Sequence, residues 1–177
     1  MLDRQKYTDS EIEKILKSMV ILVDSREKSA DHILSYFDKH DIQHKKMGLP
    51  CGDYSFMLPA SSEFGIPRDK YFHNDIFIER KNSAEELSGC FSQTRSRFEE
   101  EFAVAQAGTR YLMVENCDYS TIVTGQYRTE YGSKSFVGSL HSFNVRYGLQ
   151  IIFMPDPGFS PIFIAGTFHY YLRNLLK

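Results

Sequence analysis

The sequence is poor in cysteine: Cys51, Cys90 and Cys117 are the only three in 177 residues, and they stand far apart. An odd number with no CxxC pair argues against a disulfide framework and fits a reducing compartment. The six histidines are scattered, so a structural zinc site is not expected. Long hydrophobic runs are missing as well. None reaches the ~20 residues needed to span a bilayer, and the first twenty residues carry charges. Neither a transmembrane helix nor a secretory signal is expected. The expected compartment is cytoplasmic, with the nucleus or an infected host cell as alternatives. An excess of positive charge is lacking too: 21 Lys and Arg against 23 Asp and Glu leave a net charge of -2. A dedicated nucleic-acid coat would be basic overall, so any nucleic-acid function must rest on a local patch. There is no P-loop, dinucleotide fingerprint or Ser-His-Asp arrangement, and no internal repeat, low-complexity segment or clear linker.

What remains is a globular composition, 42% hydrophobic, of a length suited to one α/β domain. Residues 1–19 read as an N-terminal helical appendage, capped by Ser10, with Ile12, Ile15 and Leu16 on one side. Residues 20–177 read as a single domain. The apolar run 20–23 predicts a central strand of a covered sheet. A helix over about 30–40 follows, with Ile33, Leu34 and Phe37 at helical spacing, and then a strand over 42–47. After the turn at Gly52-Asp53, strand signals recur at 54–58, 75–81, 110–115 and 149–154. Residues 59–74 read as a loop or hairpin tip. Ser83 to Glu86 form an S-x-x-E box that should start one long helix to about Ala107, with Phe91, Phe98, Phe102 and Ala105 as its apolar stripe. Residues 116–134 read as a loop with a helical turn, 135–146 as a helix, and the chain from Ser160 as an aromatic terminal helix.

The chemistry concentrates in 75–81, where an apolar strand runs into Glu79-Arg80-Lys81. Side chains alternate along a strand, so Glu79 and Lys81 share one side and Arg80 takes the other. Asp24 and Glu27 follow an earlier strand, and Asp53 opens another after a glycine. In a twisted sheet these ends can converge on one cleft. Magnesium prefers oxygen ligands and is commonly held by one or two carboxylates plus substrate phosphate. Such an ion polarises a phosphodiester and lowers the pKa of an attacking water, while a neighbouring ammonium stabilises charge on phosphorus. Singly, each feature has a plainer reading: a solvated strand end, a helix cap for Asp24 and Glu27, and an ordinary turn at Gly52-Asp53.

Read together, Val23-Asp24-Ser25-Arg26-Glu27, Gly52-Asp53-Tyr54 and Glu79-Arg80-Lys81-Asn82-Ser83-Ala84-Glu85 resemble the three motifs of the XPF-type structure-specific endonucleases. The resemblance runs from about Val20 to Glu115 and more weakly to Met154. It implies an α/β fold with a restriction-endonuclease-like core, a central mixed sheet flanked by helices. It implies a Mg2+- or Mn2+-dependent endodeoxyribonuclease acting on branched or flapped duplex DNA in repair, recombination or replication. Asp53 and Glu79 would be the main metal ligands, with Asp24 and Glu27 beside them as second-site ligands or through water. Lys81 would be the catalytic lysine and Arg80 an orienting or structural member of the catalytic set. Arg26 would pair with a carboxylate or reach the phosphate. Lys45, Lys46, Arg95 and Arg97 would join Lys81 in a basic wall for DNA, although each alone reads as a solvated face. Tyr119, Tyr127 and Tyr131 would either stack on unpaired bases or pack on the domain. The family's final motif aspartate is Glu85 here. The family's eukaryotic members carry a helix-hairpin-helix pair, and no such signature is present, so grip on DNA is expected from this domain, a partner or a second copy. Pairing as a homodimer or heterodimer through C-terminal elements is implied. Two alternatives stand beside this reading: a catalytically inactive DNA-binding or scaffolding member of the same family, and a junction-resolving or restriction-type nuclease on the same core.

Overall fold

The computed structural model describes residues 6–103 and 108–177. Its centre is a seven-stranded mixed sheet. The strands are β1 (Val20–Asp24), β2 (His44–Met47), β3 (Tyr54–Leu58), β4 (Lys70–Tyr71), β5 (Ile76–Lys81), β6 (Thr109–Glu115) and β7 (Leu149–Met154). They lie in the order β2-β1-β3-β5-β6-β7, with β4 paired to β3 off this path. β2 runs parallel to β1, and β5, β6 and β7 run parallel to one another. β3 is antiparallel to both β1 and β5. The C-terminal ends of β1 and β5 therefore reach the same margin of the sheet, with the start of β3 between them.

Strand alternation separates two cores. One face carries Ile21, Val23, Tyr54, Phe56, Ile76, Ile78 and Met113. It is covered by α1 (Asp9–Lys17), α2 (Asp31–Lys39) and α7 (Ser160–Leu176). The other carries Phe77, Leu112, Val114 and Leu149, beneath α3 (Ala84–Ser92), α4 (Arg95–Ala103), α5 (Tyr119–Thr124) and α6 (Ser133–Tyr147). This second core is a phenylalanine cluster. Phe91 lies 4.8 Å from Phe143 and 5.7 Å from Phe136 between ring centres, and Phe98 lies 5.0 Å from Phe102. Removing one such ring costs about 3–5 kcal/mol.

Several boundaries differ from the sequence expectations for identifiable reasons. α1 is capped by Thr8 and not Ser10: Thr8 Oγ1 accepts from the Glu11 N–H and Glu11 Oε2 accepts from the Thr8 N–H. That reciprocal pair satisfies two donors at once, which Ser10, inside the first turn, cannot do. Ile12, Ile15 and Leu16 enter the first core. The long helix from Ser83 is two helices, broken at Gln93 and Thr94. Ser88 and Ser92 both donate their hydroxyls to carbonyls one turn back, a local competition that loosens a helix. Ala105 and the expected helix end near Ala107 lie outside the described residues. Residues 59–74 do turn back as a hairpin: Lys70 and Tyr71 pair with Leu58 and Met57, and Phe72 stacks on Phe56 at 4.3 Å. Among the described residues, no helix is long and apolar enough to cross a membrane.

Candidate active site

The margin where β1 and β5 end is stitched by backbone hydrogen bonds. The Asp24 N–H donates to the Asp53 carbonyl (2.8 Å), and the Asp53 N–H donates to the Ile78 carbonyl (2.9 Å). Gly52 makes this possible. Its φ is +69°, and a Cβ there would lie 2.4 Å from the Phe77 ring. Only glycine lets the chain cross that ring and deliver Asp53. Asp53 Oδ2 then accepts the N–H of Arg80 (2.8 Å).

Glu79 and Lys81 share the face of Phe77 and are 6% and 8% exposed. Lys81 Nζ donates to Glu79 Oε1 (2.6 Å), lies 4.0 Å from Glu86 and sits over the Phe98 ring at 5.1 Å. A cleft of about 250 Å³ opens here, lined by Arg26, Glu27, Lys28, Asp53, Arg80 and Lys81. Burial, reinforced by the charge of Glu79, pushes the Asp53 carboxyl well above the usual carboxylate range. For Lys81 burial works against the ammonium, but Glu79 outweighs it, and the pKa rises above that of an ordinary lysine.

Arg80 points the other way, as strand alternation demands. Its Nη1 donates to Glu115 Oε2 (2.5 Å), and its Nη2 donates to Glu27 Oε1 and the Ser29 carbonyl, both at 3.1 Å. Glu115 closes β6 with no exposed surface, and its other oxygen meets His32 Nε2 at 2.9 Å. The buried Tyr54 hydroxyl has no hydrogen-bond partner among the described residues. Sequence reasoning places Glu115 only as a strand end and does not identify this network. The one available signal is a carboxylate closing the strand next to Glu79-Arg80-Lys81.

The remaining sequence-predicted residues divide. Asp24 is 1% exposed, and both its oxygens are occupied. Arg26 grips it through Nε and Nη2, each at 2.9 Å, and through its N–H at 2.7 Å, while the Leu49 N–H donates at 2.9 Å. Burial would raise the Asp24 pKa, but the Arg26 and Leu49 donors hold it below the usual value. Arg26 thus pairs with a carboxylate, and its side chain stays 68% exposed at the cleft. Among the described residues no three metal-binding side chains form one group: Asp53 lies within the electrostatic reach of Glu79, while Asp24 and Glu27 are held by arginines. Lys45 and Lys46 are exposed on the edge strand β2, and as consecutive residues they face opposite sides of the sheet. Arg95 turns inward to Glu99 (3.1 Å), Ser139 (3.0 Å) and the Phe143 ring (5.3 Å), tying α4 to α6. Arg97 is 78% exposed beside Glu101. Glu85 accepts the Arg128 N–H at 2.9 Å, which lowers its pKa and fastens the loop before α6. Tyr127 and Tyr131 pack on Phe136, whereas Tyr119 is 42% exposed.

The fold is thus a mixed sheet flanked by helices, with two carboxylates and a lysine placed where parallel strands end beside an antiparallel one. Residues 23–165 match the ERCC4 domain. That span covers most of the chain, and the protein belongs to the ERCC4 domain family. Its fold is similar to XPF from Aeropyrum pernix, with a TM-score of 0.58 and 20% identity over 86% of this chain and 61% of that one. It is similar also to XPF from Aeropyrum pernix in complex with DNA, with a TM-score of 0.59 and 21% identity over 88% of this chain and 64% of that one. At this identity the likeness is one of fold, and the chain spans about three fifths of the length of those archaeal chains. No curated protein matches the sequence.

Proposed function

We propose that this chain is a Mg2+- or Mn2+-dependent endodeoxyribonuclease that hydrolyses phosphodiester bonds in branched or flapped duplex DNA, in repair, recombination or replication. Membership of the ERCC4 domain family supports a DNA nuclease in general terms. The observation that carries the reading is the meeting of Asp53, Glu79 and Lys81 at one strand margin beside an open cleft.

The donor set fits a hard divalent cation. Asp53 and Glu79 lie on one face of the sheet, and burial together with the charge of Glu79 raises the Asp53 pKa, so a cation there would be favoured. Two carboxylates plus substrate phosphate are the usual means of holding magnesium. Asp53 and Glu79 would be the principal ligands, with Asp24 and Glu27 contributing from behind their arginines. Once bound, the cation supplies charge to the phosphodiester and lowers the pKa of water beside it. The chain supplies the rest. The Arg80 N–H fixes one oxygen of Asp53, which lines the cleft. Lys81, confined by Phe98 and Glu86, offers its ammonium to the charge that develops on phosphorus. Arg26, braced by Asp24, reaches outward to meet the DNA backbone, and the exposed Lys45, Lys46 and Arg97 extend that contact.

Pairing of two chains belongs to the same reading. α7 exposes Ile162 and Tyr170 on one side, with Phe159 just before it, an apolar stripe suited to a second subunit.

The test is a nicking assay on flap, fork and four-way-junction DNA with Mg2+, Mn2+ or EDTA. Wild type should cut only with metal, and Asp53→Ala and Glu79→Ala should each lose at least ~100-fold in rate. A wild type that binds junction DNA tightly yet never cuts it in Mn2+ would instead make this a non-catalytic family member.

A further inference from the structure

We infer that Glu115 is a positioning residue for the catalytic strand end, acting through Arg80. This inference rests on the nuclease reading for its consequence but not for its geometry. The Glu115 carboxylate has no exposed surface and lies on β6, one residue beyond the Val114–Lys81 pair. Its two oxygens are divided between Arg80 Nη1 and His32 Nε2. A buried carboxylate is expensive unless fully partnered, so its placement beside Arg80 calls for a physical reason.

Arg80 supplies one. It is the residue through which both sides of the sheet margin are held. Its backbone N–H fixes Asp53 Oδ2 on the cleft side, and its guanidinium fixes Glu27 and the Ser29 carbonyl on the α2 side. Arg80 is 4% exposed, and its Nε has no partner among the described residues. Without Glu115 only Glu27 would balance the Arg80 charge. Arg80 would then be held only by Glu27 and the Ser29 carbonyl, and its N–H would shift against Asp53. Glu115 anchors the guanidinium from the neighbouring strand, so the end of β5 cannot rotate. His32, on α2, fixes the orientation of Glu115 in turn. The same carboxylate therefore holds the Arg80 N–H on Asp53 Oδ2 and keeps Glu27 on its arginine.

Two measurements on the intact chain decide the matter. The first needs no catalysis: amide hydrogen exchange at Arg80, read by NMR on metal-free protein. Glu115→Gln keeps the shape and one acceptor for Arg80, and it should speed exchange at that amide roughly tenfold relative to amides in β7. An unchanged Arg80 amide overturns the inference whether or not the protein cuts DNA. The second is a double-mutant cycle on cleavage of a flapped DNA in Mn2+. Glu115→Gln should lower kcat ~10–100-fold with KM unchanged, as loss of a supporting partner does. In an Arg80→Gln background the same change should cost nothing further. Additive losses would mean that Glu115 acts through general stability and would also overturn the inference. If Glu115→Gln fails to fold, His32→Ala probes the arrangement from its half-exposed end. It should raise Arg80 exchange severalfold, and no change there counts against the inference equally. A wild type that cuts no DNA removes the nuclease reading alone, since the exchange measurement still stands.

Discussion

Asp24 and Asp53 sit on adjoining strands, joined by a backbone hydrogen bond, yet their surroundings drive them in opposite directions. Asp24 accepts from Arg26 and Leu49 and is held below the ordinary carboxylate pKa. Its stability contribution is present above the unfolded value of ~3.9 and is lost as pH falls through the lower folded value. Asp24→Asn should therefore destabilise the protein at neutral pH by about 2–3 kcal/mol, from lost hydrogen bonds to a charged group, and thermal melts against pH would show the gap close in acid. Asp53 is the reverse case. Burial and Glu79 raise its folded pKa, so the folded state holds its proton more tightly than the unfolded chain. Its charge begins to cost stability above pH ~4, and the cost grows until the folded pKa is passed. Asp53→Asn should raise the Tm of metal-free protein at pH 7.5 by roughly 3 °C, or ~1 kcal/mol at this size, with no difference near pH 3.5. Opposite signs for two neighbouring aspartates are a sharp check, because a general packing defect would move both the same way.

At the scale of elements, the turn into β3 and the end of β5 are a single unit. Gly52→Ala must place a methyl into the Phe77 ring at a positive φ. A loss of at least ~2 kcal/mol in stability is expected from overpacking and backbone strain together, with activity falling further than stability because Asp53 shifts. Denaturant unfolding beside the nicking assay would separate the two. The strands were legible in the sequence because short apolar runs flanked by turn residues have few other solutions: Tyr54–Leu58 and Leu149–Met154 have the expected bounds. The shared side of Glu79 and Lys81 follows from a period of two and needs no tertiary knowledge. The break between α3 and α4 is not visible in the same way. Phe91, Phe98 and Phe102 keep helical phase across it, so the pattern continues where the backbone does not. Nor are partners visible when they come from other strands. Nothing near Arg95 points to Ser139 on α6, and nothing around residue 115 reveals the arginine it meets.

For the whole molecule, the two faces of the sheet have different tasks. The α3–α4–α6 face holds the phenylalanine cluster and supports Lys81 through Phe98. The α1–α2–α7 face holds the arginine–glutamate network and ends in the exposed stripe of α7. If that stripe pairs two chains, Tyr170→Glu, at a side chain on a residue 64% exposed, should turn a dimer into a monomer in sedimentation velocity while leaving Tm nearly unchanged. A wild type that sediments as a monomer at high micromolar concentration would remove the dimer from the proposal. The ion pair between Lys81 and Glu79 has a further consequence for how the protein is made. The ammonium of Lys81 already balances Glu79, so the chain should have no need of a metal to reach its native state. Unlike a zinc finger, which is unfolded without its ion, it should refold from urea in excess EDTA with full amplitude. Lys81→Met should lose that independence and need added Mn2+ to recover the same midpoint.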